Sequence, residues 1–261
     1  MTNEMTNEKT TKTTNAAGRF VWFEYVSSDA AKAQGLFGEL FNWSTKSVPM
    51  PDGAYTMIAA ADGKTIGGYM DAPAGTPPGA SWLPYLLVAS AAESAAKLKA
   101  LGGSVMKAPF KVGDFATMAV VGDPHGASFA LWQPNQTEDA PTPTVGHFVW
   151  NELASKDPAA SVTFYSQLAG FTDKPMEMPG MGAYHVLEHG GQSRAGIMAQ
   201  QMATQPHAWL PYVQVASTDQ TAEKAKRLGA TIVVPPTQIP NVGRFAIFVD
   251  AQGAATGILQ P

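Results

Sequence analysis

The chain has no cysteine, which rules out disulfides, thiolate catalysis and cysteine-bound zinc. Charge is scarce as well: Asp, Glu, Lys and Arg make up 15% of the residues, against a usual share near 25%. Much of the surface is therefore Ala, Ser, Thr, Gly and Pro. The net charge is −4, the pI is about 5.7, and Lys and Arg form no cluster. The counterion release that drives nucleic-acid binding then has no source, and nucleic acid is not an expected partner. No apolar run approaches the ~18 residues that span a bilayer, and the first residues hold no apolar signal core. The expectation is a soluble chain with no membrane partner, placed by default in the cytoplasm.

What is present is a repeat. Trp22-Phe23-Glu24-Tyr25-Val26-Ser27-Ser28-Asp29 returns as Trp150-Asn151-Glu152-Leu153-Ala154-Ser155-Lys156-Asp157. The spacing holds onward: Phe41-Asn42-Trp43 is matched by Ala169-Gly170-Phe171, and Gly68 by Gly196. With a drift of a residue, Trp82-Leu83-Pro84-Tyr85 recurs as Trp209-Leu210-Pro211-Tyr212, and Leu101-Gly102-Gly103 as Leu228-Gly229-Ala230. Asp123 and Gly126 recur as Asp250 and Gly253, and each copy closes alike, on Leu131-Trp132-Gln133-Pro134 and Ile258-Leu259-Gln260-Pro261. Surface connections tolerate such small indels. The pattern is that of a duplicated domain: a disordered tail over 1–17, a first domain over 18–134, a linker over 135–145 and a second domain over 146–261. The tail is mostly Thr, Asn, Lys and Glu with almost nothing to bury.

Within each copy the signals alternate. Phe20 to Val26 is aromatic and β-branched, a strand with Trp22 and Glu24 on one face and Phe23 and Tyr25 on the other. Asp29 opens a helix with its apolar stripe on Ala33, Leu36, Phe37, Leu40 and Phe41. Asp157-Pro158 opens its counterpart, a cap followed by proline. Strands near 44–48, 54–60 and 64–70 follow, parted by Pro51-Asp52-Gly53 and Asp62-Gly63 turns. After a Pro- and Gly-rich loop comes a strand over Trp82 to Val88. A Ser90/Glu93 capping box then opens a helix stopped at Gly102, and Ser217/Gln220 and Gly229 repeat both signals. Strands near 104–106, 116–121 and 128–132 complete the copy. Each repeat reads as two βαβββ units, so the chain holds four.

Four βαβββ units, with aspartates opening the first helix of each pair and Asp-x-x-Gly turns such as Asp123-Pro124-His125-Gly126 before the last strand, resemble the vicinal oxygen chelate superfamily. That group includes glyoxalase I, extradiol dioxygenases and bleomycin-binding proteins. The resemblance covers Gly18 to Pro261. It implies an α+β fold, a tandem duplication of a glyoxalase-like domain in which each repeat curls an eight-stranded sheet around a cleft. It also implies that the two repeats pair within the chain as subunits do in dimeric relatives. Further self-association is not readable. Function does not follow from the scaffold, which hosts many chemistries.

Metal-using relatives carry His and Glu ligands at positions that fall here on Trp22, Leu83 and Ala130 in the first repeat and on Trp150, Leu210 and Gly257 in the second. The remaining ligand strand corresponds to 65–70 and 193–198, which hold no carboxylate or imidazole. None of these can ligate a divalent ion, so neither a metal nor a cofactor is expected. The cleft lining would instead be Trp22, Tyr85 and Trp132 in one repeat and Trp150 and Tyr212 in the other. Glu24 and Glu152 face the same way as the tryptophans, placed to act as general acid or base, or simply to hydrogen-bond a backbone group or a tyrosine hydroxyl. The tryptophans are either core packing or a flat surface for a planar ligand. Arg194, with Ile66 at its position in the first repeat, could meet an anionic ligand. Arg244 aligns with Thr117, and for both arginines a solvated surface is the plainer reading. The five histidines are scattered; His185 and His189 on one strand would stand about 13 Å apart, too far to share an ion.

Three functions stay open. The first is a metal-independent protein binding a small apolar or aromatic metabolite. The second is a metal-free isomerase, lyase or hydroxylase-like enzyme using Glu24 or Glu152. The third is a divalent-metal lyase or dioxygenase with displaced ligands.

Overall fold

The computed structural model describes residues 17–50, 53–73, 75–76, 78–136, 142–178 and 181–261. The expected tail, apart from Ala17, lies outside these residues, as does the 137–141 part of the expected linker.

The first repeat runs β1 (Phe20–Ser27), α1 (Ala30–Phe41), β2 (Ser44–Met50), β3 (Gly53–Ala59), β4 (Thr65–Asp71), β5 (Ala80–Leu87), α2 (Ala91–Ala100), β6 (Ser104–Val112), β7 (Ala116–Gly122) and β8 (Ser128–Pro134). The second runs β9 (Phe148–Ser155), α3 (Pro158–Ala169), β10 (Thr172–Met178), β11 (Gly182–His189), β12 (Gln192–Ala199), β13 (Ala208–Gln214), α4 (Thr218–Arg227), β14 (Thr231–Ile239), β15 (Gly243–Val249) and β16 (Ala255–Gln260). Each repeat makes one eight-stranded sheet, ordered β2-β3-β4-β1-β5-β8-β7-β6 and β10-β11-β12-β9-β13-β16-β15-β14. The two orders are the same, as the duplication requires. Within each βαβββ unit the strand before the helix pairs parallel with the unit's last strand: β1 with β4, β5 with β8, β9 with β12 and β13 with β16. None of the described helices is long and apolar enough to cross a membrane.

Local chemistry sets the helix ends. The Ser90 hydroxyl accepts from the Glu93 N–H at 3.2 Å and the Ser217 hydroxyl from the Gln220 N–H at 3.3 Å, capping α2 and α4. Asp157 caps α3 by accepting from the Ala160 N–H at 3.0 Å, with Pro158 following and Gly170 closing the helix at φ 70°. Asp29 departs from that pattern. Its carboxylate pairs with Lys32 at 2.9 Å and makes no cap, while its own N–H donates to Ser27 Oγ at 3.1 Å. β6 is also longer than its sequence signal. Its register with β7 slips between Val105 and Lys107 and again between Lys107 and Phe110, and β6 ends the sheet order, where an edge strand can hold Pro109.

By density of contacts the chain forms two compact units. Among the described residues, one comprises those within 17–21, 84–136 and 151–209; the other comprises those within 22–83, 142–150 and 210–261. Each therefore takes half of its substance from each repeat. In the first unit α2 packs on α3, and a continuous core runs from Leu86, Leu98, Phe129 and Leu131 to Leu153, Tyr165, Leu187 and Ile197, all fully buried. In the second unit α1 packs on α4 around an aromatic core. Phe37 lies 5.5 Å from Tyr25 and 5.4 Å from Trp82 between ring centres, and Phe23 stacks on Phe148 at 4.0 Å.

Candidate functional site

Alternation along β1 sends Phe23 and Tyr25 into the aromatic core of the second unit, leaving Trp22 and Glu24 on the other face. Glu24 is only 2% exposed. Beside it on β4 stands Gly68, its register partner. A Cβ at Gly68 would overlap the Tyr55 hydroxyl, so the missing side chain is what admits Tyr55 from β3. The Tyr55 hydroxyl donates to Glu24 Oε2 at 2.9 Å and accepts from Trp22 Nε1 at 3.1 Å. Burial and then the Glu24 charge push the Tyr55 hydroxyl far above its ordinary range, against the indole hydrogen bond, which lowers it. The phenol remains a donor at any physiological pH, and all the hydrogens in this chain point toward the carboxylate.

The second repeat repeats the packing of a tyrosine hydroxyl over a glycine. Glu152 on β9 pairs in register with Gly196 on β12, and a Cβ at Gly196 would overlap the Tyr184 hydroxyl. Tyr184 is buried and Glu152 half-buried. Sequence reading missed both tyrosines. The available signal was the Gly68/Gly196 match, since a glycine repeated mid-strand marks a close approach by something else.

The aromatic residues separate into two groups. In the first unit Tyr85 and Trp132 lie 5.6 Å apart between ring centres, and Trp132 stands opposite Met118 in the β7–β8 register. In the second unit Leu210, Tyr212 and Phe245 are buried together, with half-exposed Trp150, Val234, Ile239, Ile247 and Leu259 packed around them. Arg194 is half-buried and falls elsewhere: burial lowers its affinity for its proton, and its charge acts on Arg19 and His189. Arg244 forms a two-pronged bridge to Asp219, at 2.6 and 2.8 Å.

Three of the histidines, His147, His185 and His207, pair with aspartates of the framework. His207 and Asp123 form a buried pair at 2.8 Å through Nε2 and Oδ2. Because the Lys156 N–H donates to His207 Nδ1 at 3.1 Å, the ring hydrogen belongs on Nε2, facing the carboxylate. Tyr165 also donates to Asp123, at 3.1 Å, and accepts from Trp209 Nε1 at 3.0 Å. Burial alone would raise the Asp123 carboxyl, but His207 and the Ala127 and His125 N–H groups outweigh it and hold it below its usual range. Asp250, in the equivalent turn, accepts from Tyr25 at 2.6 Å. His147 pairs with Asp62 at 3.1 Å and His185 with Asp173 at 3.0 Å.

The metal implied by the scaffold does not fit these residues. Leu83, Ala130 and Leu210 are buried hydrocarbon, and a Cβ at Gly257 would overlap the Tyr212 ring. The one polar atom of Trp22 is a donor, already given to Tyr55. Among the described residues no three His, Asp or Glu side chains gather closely enough to hold an ion. Two open surface grooves, of about 440 Å³ against α3 and about 360 Å³ beside the β14–β15 turn, include neither glutamate.

Comparison with known proteins agrees with the architecture. Residues 144–256 match the model of the Glyoxalase/Bleomycin resistance protein/Dioxygenase superfamily. A protein named Putative glyoxylase CFP32, from Mycobacterium tuberculosis, is 33% identical over 245 residues, covering 92% of this chain and 94% of that protein. The anthracycline biosynthesis protein DnrV of Streptomyces peucetius is 28% identical over 264 residues, covering 94% of each. Among solved structures, the Mn(II)-bound glyoxalase from Novosphingobium aromaticivorans matches with a TM-score of 0.65 at 15% identity, over 94% of this chain and 82% of that one. The 2,2',3-trihydroxybiphenyl 1,2-dioxygenase of Sphingomonas wittichii matches with a TM-score of 0.66 at 11% identity, over 94% and 91%. At such identities the structures speak for the fold alone. With the repeat, the sheet order and a relative alignable over nearly its whole length, the chain belongs to the glyoxalase/bleomycin resistance protein/dioxygenase superfamily.

Proposed function

We propose that this chain is a metal-independent, cytoplasmic member of the superfamily that binds a small, planar, largely apolar molecule. The observation that carries this reading is the apolar face of the second unit, where half-exposed Trp150, Ile247 and Leu259 surround Tyr212 and Phe245. Half-exposed apolar side chains grouped on one face mark a site that gains by being covered. The filling of the ligand positions by hydrocarbon and glycine supports the absence of a metal. Two relatives bear names tied to anthracycline biosynthesis, and an anthracycline is a planar polycycle, which fits the chemistry of that face. A direct test titrates the protein with 2-naphthol while following tryptophan fluorescence, with metal content measured on the same sample. Saturable quenching that Trp150→Ala weakens, in protein without stoichiometric metal, supports the reading; a bound divalent ion at one per chain, or quenching unaffected by Trp150→Ala and Phe245→Ala, rejects it.

A second reading is favoured by the Trp22–Tyr55–Glu24 chain. Buried Glu24, held by a phenol that stays protonated, is built to take a proton from a bound ligand and return it, as a metal-free isomerase or lyase would need. Once a substrate is in hand, Glu24→Gln removes turnover while binding persists. Full turnover in the Glu24→Gln, Glu152→Gln double variant would dismiss it.

A further inference from the structure

The β10–β11 hairpin of the first unit is rich in methionine. Five of the chain's twelve methionines fall between 176 and 202, three of them in the run Met176-Glu177-Met178-Pro179-Gly180-Met181. Met176 and Met178 lie two residues apart on β10 and so share a face, about 7 Å from each other along the strand. They pair in register with Tyr184 and Gly182 on β11, and Tyr184 pairs in turn with Met198 on β12. Gly182 sets no side chain opposite Met178. The third methionine returns to the same place: Met181 N–H donates to Met178 O at 2.9 Å, which holds the two residues within the ~7 Å span of a turn. The Gln201 side-chain amide donates to Met181 O at 3.5 Å and to Ala199 O at 2.8 Å, tying the end of β12 to this turn. We propose that Met176, Met178 and Met181 form a site for a soft monovalent metal ion, copper(I).

Thioether sulfur is a soft donor that selects copper(I) over hard divalent ions. In a chain without cysteine it is also the softest donor available. A methionine side chain has three rotatable bonds, so sulfurs carried on backbone positions this near can turn onto one ion. Core packing does not account for the three residues, because Met176 is 43% exposed and Met178 and Met181 are half-exposed. The first repeat holds only part of the set. Val48 stands opposite Tyr55 where Met176 stands opposite Tyr184. Two residues separate Met50 from its register partner Gly53, whereas three, the last of them Met181, separate Met178 from Gly182. Only Met178 therefore has a methionine counterpart, Met50. The site is separate from the positions at which the superfamily holds a divalent ion. Lying in the first unit, it also draws on nothing from the apolar face of the second.

The test titrates the untagged whole chain with silver nitrate, a redox-stable stand-in for copper(I), in chloride-free buffer. Binding is followed by calorimetry and by the resonances of isotope-labelled methionine methyl groups. Saturation at one ion per chain supports the site, provided that the methyl signals of Met176, Met178 and Met181 move while that of exposed Met106 stays in place. Copper(I) added without oxygen should compete with silver, and zinc(II) should leave the three signals where they were. The Met176→Leu, Met181→Leu double variant should bind silver about tenfold or more weakly, the scale on which even the outer partners of a metal act. Because leucine and methionine are close in volume, it should melt near the parent. Met106→Leu should leave binding unchanged. If the double variant folds poorly, Met176→Leu alone, at an exposed position, carries the same comparison. Absence of saturation, equal affinity in the parent and in the hairpin variants, shifts shared equally by Met106, or an equal response to zinc(II), overturns the proposal.

Discussion

Tyr55 gives its hydroxyl hydrogen to Glu24 across 2.9 Å, through the space left by Gly68. The bond supports a carboxylate that is almost wholly out of water, and its loss leaves that charge with less compensation. Tyr55→Phe should therefore cost about 1.5–3 kcal/mol in urea unfolding, the range for hydrogen bonds to charged groups. Gly68→Ala should cost a comparable ~1–3 kcal/mol by forcing the phenol aside. Two variants as stable as the parent would show that the pairing carries no weight in the fold.

Asp123 should steepen the loss of stability in acid. Its folded carboxyl titrates below the usual value, so across the interval between the folded and unfolded values the unfolded chain binds more protons. The contribution is complete above about pH 4 and is lost as pH falls through the folded value. The midpoint of urea unfolding, measured from pH 6 downward, should fall more steeply for the parent than for Asp123→Asn. Parallel curves would mean that Asp123 does not hold this role.

Position within the unit decides what a phenylalanine is worth. Phe37 is fully buried among Tyr25, Phe41, Trp43 and Trp82, whereas Phe115 in the β6–β7 turn is 74% exposed. Phe37→Ala should lose about 3–5 kcal/mol, and Phe115→Ala should stay within about 0.5 kcal/mol of the parent. Chemical denaturation of the two variants side by side checks both figures.

Cutting the chain should not part it. The core of the first unit draws on Leu86, Phe129 and Leu131 from one side of residues 137–141 and on Leu153, Tyr165 and Ile197 from the other. A protease site placed there and cleaved should leave two fragments that elute together in native buffer and separate in urea. Separation without denaturant would mean that this shared core is too weak to hold them.

Much of this was legible in the amino-acid order because it is local. The alternation of β1, the capping hydroxyls of Ser90 and Ser217, and Asp157 before Pro158 each act over a few residues, and duplication fixes that both sheets share one strand order. Asp29 shows the limit even there, since Lys32 one turn on offered its carboxylate a charge instead of a cap. The absence of metal-ligating side chains at the superfamily's positions was likewise plain from residue identities.

Which halves share a core, and which polar groups meet, were decided only by folding. His207 finds Asp123 across 84 positions and Tyr25 finds Asp250 across 225. The two aspartates are repeat equivalents, yet their tyrosines come from a helix in one unit and a strand in the other. No local pattern encodes such a choice. A buried carboxylate needs donors from whatever surfaces close over it, and those surfaces exist only once the distant segments have packed.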